Sequence, residues 1–192
     1  MRGFPDEISI RPGGYFLLAL LLRVLPLPWL GAAAGAAAVH ELAHLCALAL
    51  WGVRPRCLLL GLRGAVISPP FLPAGAAACC ILAGPLGSLL LGLTWRLAPK
   101  LSLCGLVQGC VNLLPLPASD GSRLLELFCA FCLPVRLRLP FLRWTQRLCI
   151  LGVISLAFAA GLFFRSLFPL TIIPVLLIFK QQIVKNPCKY RS

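Results

Sequence analysis

The chain has 192 residues, a length ordinary for one domain. Hydrophobic residues make up 60% of it and charged residues only 12%, with a mean hydropathy of +0.95; a soluble domain carries about 25% charged residues, so this composition excludes a water-solvated globule and assigns lipid to much of the surface. The net charge of +13 comes from eighteen Lys and Arg scattered between apolar runs, a pattern that argues against a nucleic-acid partner and reads as topology signals.

A membrane-spanning helix needs about 20 mostly apolar residues, and that ruler predicts six spans in chain order. The first runs from Tyr15 to Pro28, is short and contains Arg23. The second covers Leu30 to Trp51. Between it and the third span lies Gly52 to Pro70, where two β-compatible runs, Cys57 to Leu62 and Ala65 to Ser68, flank Arg63-Gly64 and predict a small hairpin. The third span runs from Pro73 to Trp95 and the fourth from Leu101 to Leu116. A basic, proline-punctuated stretch, Pro134 to Arg147, precedes the fifth span, Leu148 to Phe164. The sixth covers Leu167 to Phe179, and a polar, basic tail follows from Lys180. The expected fold is therefore an all-α polytopic membrane protein of about six helices with a membrane-associated β-hairpin between the second and third. One domain is expected over 1–192, with no cleavable signal peptide.

Six spans put both termini on one side. With that side cytoplasmic, inside segments hold fourteen Lys and Arg and outside segments three, namely Arg96, Lys100 and Arg165. This is the positive-inside pattern. Of the ten cysteines, Cys46, Cys79, Cys80, Cys104, Cys110 and Cys149 sit in apolar runs and read as small hydrophobes. Cys129 and Cys132 form a single CxxC with no second pair and no nearby histidine, too few ligands for a structural zinc site.

The chemistry concentrates in the second span. The two histidines, His40 and His44, stand in His40-Glu41-Leu42-Ala43-His44, an HExxH. Positions i and i+4 share a helix face, so both imidazoles can reach one metal ion, and the adjacent Glu41 can serve as a general base on water. A solvated polar face is the ordinary reading of such a motif in a soluble helix. It fails inside an apolar span, where each ionisable group costs roughly 2.5–3.5 kcal/mol to insert. A hydrolytic zinc takes three protein ligands and keeps one open place. The five acids of the chain are Asp6, Glu7, Glu41, Asp120 and Glu126. Elimination leaves the last two as candidates for the third ligand. Asp120 follows Pro115 and Pro117, which break the fourth span into a non-helical stretch of the kind tolerated at membrane depth only where it lines a cavity or is buried. Glu126 reads more simply as an i+3 partner of Arg123.

Three motifs together carry a resemblance: His40 to His44 in the second span, Ala83-Gly84-Pro85-Leu86-Gly87-Ser88 in the third, and Asn112-Leu113-Leu114-Pro115 with Asp120-Gly121 at the end of the fourth. In order and placement they resemble the HExxH and NxxPxxxxDG motifs of the site-2 protease family of intramembrane zinc metalloproteases. The compact six-span bacterial branch that includes the stage IV sporulation protease is the nearest in pattern. Motifs cover residues 8–130, the catalytic core; the last two spans, over 148–179, match by hydropathy, and 180–192 is the tail.

The resemblance implies a metalloendopeptidase with one zinc per chain. His40, His44 and Asp120 would be the ligands, Glu41 the catalytic base and Asn112 a substrate-binding residue. The hairpin would correspond to a membrane-embedded β region that pairs with an extended substrate. The substrate would be a membrane-embedded or membrane-tethered protein, cut near the cytoplasmic face of a bacterial cell membrane, and regulatory partner proteins are expected. The family's HELGH is HELAH here, its DGG is Asp120-Gly121-Ser122, and its AGPxxN ends in Ser88. None of these changes removes a ligand. No PDZ or CBS-like domain is expected. The competing class is a non-proteolytic membrane metal-binding or metal-transport protein, which would not need Glu41 between the histidines.

Overall fold

The structure, a computed structural model, describes residues 8–10, 26–53, 58–61, 64–67 and 72–163. The chain divides into two compact units, Met1–Leu113 and Leu114–Ser192.

The first unit is built on three helices: α1 (Leu27–Leu50), α2 (Ala74–Leu90, extended by a 3-10 turn over Leu91–Thr94) and α3 (Pro99–Leu113). Each packs against the other two. The 24 residues of α1 rise about 36 Å, enough to cross a hydrocarbon core of about 30 Å. Leu27–Leu50 and Ala74–Thr94 are the two described helices long and apolar enough to cross a membrane. They expose the large apolar side chains Leu27, Leu42, Leu50, Leu86, Leu90 and Leu93, as lipid-facing helices do.

The ends of these helices follow local rules. Pro28 lies in the first turn of α1, where a missing N–H costs nothing. At the other end Gly52 takes φ +66°, and Val53 and Gly52 donate to the carbonyls of Leu48 and Ala49 at 2.9 Å each, a Schellman stop that a side chain at 52 would strain. Lys100 sits 5.9 Å over the Trp29 ring. The start of α1 and the start of α3 therefore lie at the same end of this unit.

Small residues hold the three helices together. Ala36, Ala76, Gly84, Ser88, Ser102, Gly105 and Gly109 are all buried. A Cβ at Gly105 would lie 2.7 Å from the Ser88 carbonyl oxygen and the Leu91 Cβ, and one at Gly109 would lie 3.0 Å from the Pro85 carbonyl. Gly105-xxx-Gly109 thus presents a flat stripe on which the α2 backbone rests. Where lipid is as apolar as leucine, such close packing is the main attraction between helices.

Three short extended segments, β1 (Ile8–Ile10), β2 (Leu58–Gly61) and β3 (Gly64–Ile67), accompany the helices; β2 pairs antiparallel with β3 and parallel with β1. Residues 62–63, between β2 and β3, lie outside the described residues. So do most of the first predicted span, all of the sixth and the basic tail.

The second unit contains α4 (Asp120–Cys132) and α5 (Val135–Phe163). Two features differ from the hydropathy reading. The helical part of the fourth span stops at Leu113, so α3 has 15 residues and rises only about 22 Å. The basic stretch from Pro134 is helical from Val135 and runs without a break into the fifth span, giving α5 its 29 residues. Pro140 removes one ladder bond, but the arginines around it are good helix formers. Arg138 turns back and donates from Nε to the Leu133 carbonyl at 2.9 Å and from Nη2 to the Ala130 carbonyl at 2.8 Å. It thereby satisfies the C-terminal end of α4 with a cation, the sign the helix dipole favours there.

Candidate metal centre

On α1, His40 and His44 are one turn apart and face α2. His40 is buried, with 4% of its surface exposed, and His44 is half-buried. Their Nε2 atoms stand 3.3 Å apart, with the rings edge to face at 85°. Each ring is held from behind by α2. His40 Nδ1 lies 2.9 Å from the Ser88 hydroxyl, and His44 Nδ1 lies 2.7 Å from the Cys80 carbonyl. A carbonyl only accepts, so His44 Nδ1 carries its proton and donates it. With that proton on Nδ1, a neutral ring keeps its lone pair on Nε2, the nitrogen aimed at His40.

This donor set fits a zinc ion. Two nitrogens bound tetrahedrally at about 2.0–2.1 Å stand about 3.3–3.4 Å from each other, which is the separation of the two Nε2 atoms. Anchoring the far nitrogen of a metal-ligating histidine is likewise the usual support for such a site.

Gly84 makes the arrangement possible. A Cβ there would meet the His44 ring, 2.1 Å from Nε2 and 2.5 Å from Cε1. The ring therefore lies directly on the α2 backbone. Gly87 does the same for Ala43, whose Cβ would be 2.6 Å from an added one. Pro85 withdraws one N–H from the ladder beside these contacts.

Asp120 is held by the local structure of the second unit. Leu114 to Ser119 form a non-helical approach in which Leu116 is fully buried and Ala118 takes φ +63°, unusual for a residue with a Cβ. Ser119 caps α4: its Oγ accepts the Ser122 N–H at 3.1 Å and lies 2.6 and 2.7 Å from the carbonyls of Leu114 and Leu116. Asp120 is then the first residue of the helix, buried, in the turn where backbone N–H groups and the helix dipole favour a carboxylate. Gln146 of α5 donates to the Ser122 hydroxyl at 3.1 Å and braces the same turn.

Of the residues that could hold a metal ion, His40 and His44 stand together in the first unit, and Asp120 is a buried carboxylate at the head of α4 in the second. Glu41 follows His40 on α1 and is half-buried. Asn112 lies half-buried in the last turn of α3. Glu126 lies within α4, where burial pushes its carboxyl up and the Arg123 charge opposes this only in part. Residues that sequence reasoning did not assign to the site are Ser88, Gly84 and the Cys80 carbonyl. Positions 80, 84 and 88 recur every four residues, so the sequence puts them on one face of one helix, but nothing in it says which face of α1 they meet.

No known family profile matches the chain, and no curated protein sequence matches it. Among solved structures, the Site-2 Protease from Methanocaldococcus jannaschii is similar over 96% of this chain and 93% of that one, with a TM-score of 0.63 and 18% sequence identity. At that identity the likeness speaks to the fold. The chain, whose motifs resemble the site-2 proteases, thus has a fold similar to that of a solved site-2 protease.

Proposed function

We propose that this chain is a zinc-dependent intramembrane endopeptidase. The observation that carries the reading is the histidine pair on an apolar helix, with its two Nε2 atoms 3.3 Å apart and both Nδ1 atoms anchored from α2. His40, His44 and Asp120 are the proposed ligands, with one zinc per chain. When bound, zinc would acidify water and polarise the scissile carbonyl. Glu41 is the general base: it removes a proton from the attacking water and delivers it to the leaving amide nitrogen. Asn112 binds the substrate strand.

The substrate class is a membrane-embedded or membrane-tethered protein. A helical substrate hides its peptide bonds in its own hydrogen-bond ladder and must open locally before hydrolysis. The Gly52–Pro70 segment, read as a membrane-associated hairpin, would then pair with the opened strand by β-augmentation. The finer reading is one peptidase domain of six spans, like the compact bacterial branch, with both termini cytoplasmic and cleavage near the cytoplasmic face. It is supported by the hydropathy pattern and the charge asymmetry.

The test uses purified protein in detergent and a membrane-tethered test substrate. Cleavage should be abolished by a zinc chelator and restored by zinc. Glu41→Gln should retain zinc yet lose cleavage by about 10²–10⁴-fold, the usual contribution of a general base. Zinc-independent cleavage, or full activity in Glu41→Gln, would sink the proposal. Zinc binding without cleavage of any membrane-tethered substrate would favour a metal-binding or transport protein.

A further inference from the structure

We infer that Ser88 is the positioning residue for His40, and that the metal affinity of the site depends on its hydroxyl. The inference rests on the metal-centre reading above and deepens it.

The two histidines are supported differently. Behind His44 stands a backbone carbonyl, that of Cys80, which no side-chain substitution can remove. Behind His40 stands a side-chain oxygen, Ser88 Oγ, 2.9 Å from Nδ1. A neutral imidazole that gives its Nε2 lone pair to a metal must carry its proton on Nδ1. That N–H is then buried with His40, and a buried donor needs an acceptor. Ser88 Oγ supplies it. The acceptor also fixes the ring plane, and with it the direction of the Nε2 lone pair toward His44.

Ser88 is in turn held in place. It is fully buried, with 0% of its surface exposed. Its backbone carbonyl is pressed against Gly105, where an added Cβ would be only 2.7 Å away. The chain from α3 through Gly105 to Ser88 to His40 is therefore short and tightly packed. A residue noted from the sequence only as a departure in the third motif becomes a replaceable support of His40.

The experiment measures zinc dissociation constants by chelator competition on the full chain in detergent. The proteins compared are the parent, Ser88→Ala, Ser88→Thr and His40→Ala. Ser88→Ala should bind zinc about 10–100-fold more weakly than the parent, the usual effect of removing such a support. Ser88→Thr keeps the hydroxyl and should stay close to the parent. A second readout follows the His40 Nδ1–H by nitrogen-15 NMR in the zinc-loaded protein. That proton should be protected from solvent exchange in the parent and in Ser88→Thr, and lose protection in Ser88→Ala, whereas a purely structural role for Ser88 would leave the signal in place. A Ser88→Ala protein that binds zinc as tightly as the parent, with the His40 signal unchanged, overturns the role of Ser88 while leaving the metal centre standing. A parent that binds no more zinc than His40→Ala overturns both.

Discussion

His44 and Gly84 show how little room a single residue has in this molecule. The ring rests on the α2 backbone where any side chain would collide with it. Gly84→Ala adds one methyl group, and that methyl group cannot be accommodated unless the imidazole leaves its place. The expected outcome is a loss of zinc affinity of at least tenfold with the helix content retained, read by chelator competition beside circular dichroism. Gly87→Ala makes a useful contrast, because there the collision is with the Ala43 methyl and not with a proposed ligand. It should lower stability more than zinc affinity. Asp120→Asn belongs at the same scale. It keeps the shape of the first turn of α4 and removes the charge, so metal analysis should show lowered occupancy, and undiminished zinc would refute the carboxylate as a ligand.

Among the elements, the N-terminus of α4 is the most elaborately made. One serine hydroxyl serves the Ser122 N–H and reaches two carbonyls of the approach that precedes it. Ser119→Ala should therefore cost about 1 kcal/mol for the lost cap, within a range of about 0.5–2 kcal/mol. Reversible unfolding of the purified protein measures this, and an unchanged stability would show that the cap contributes nothing. The helix α5 carries the opposite lesson. Hydropathy separates its basic first half from its apolar second half, because hydropathy reports which residues suit lipid and not which backbone is helical. Arginine is a good helix former, and Arg138 gains two carbonyl partners by pointing back to α4. The short α3 was hidden for a related reason. Leu114 and Leu116 extend the apolar run past the true helix end at Leu113, and the prolines among them stop the ladder, not the hydrophobicity.

For the molecule as a whole, a metal that binds the native chain and not the unfolded one must stabilise it. Saturating zinc at one hundred times its dissociation constant should add about 2.7 kcal/mol. The unfolding midpoint should rise with zinc in the parent and stay fixed in a His40→Ala, His44→Ala double variant. An identical rise in both would place the ion elsewhere. The proposed topology is testable at this scale too. Lys100 lies over Trp29, so the start of α1 and the α2–α3 connection share one end of the first unit, as antiparallel packing of α1 and α2 requires. Tags at both termini should be accessible from the cytoplasmic side and a tag at Arg96 from the other; termini on opposite sides would refute the even span count.

What the sequence alone determined is local or exhaustive. The i, i+4 spacing of the histidines is fixed by helix geometry wherever the helix lies, and the apolar run around them made the motif informative. Asp120 was reached because the chain offers so few acids. The Schellman stop at Gly52 and the cap at Ser119 are also local, set by residues within a few positions of each other, but they were read from the structure and not from the sequence. The tertiary structure alone decided what stands behind each imidazole. Cys80 is 36 residues from His44 and Ser88 is 48 from His40. Their contact depends on the register in which α1 and α2 pack, and that register is set by glycines and alanines whose absent side chains let the backbones approach. An absent side chain carries no periodic signal in hydropathy, so the contacts it permits become visible only when the helices are seen together.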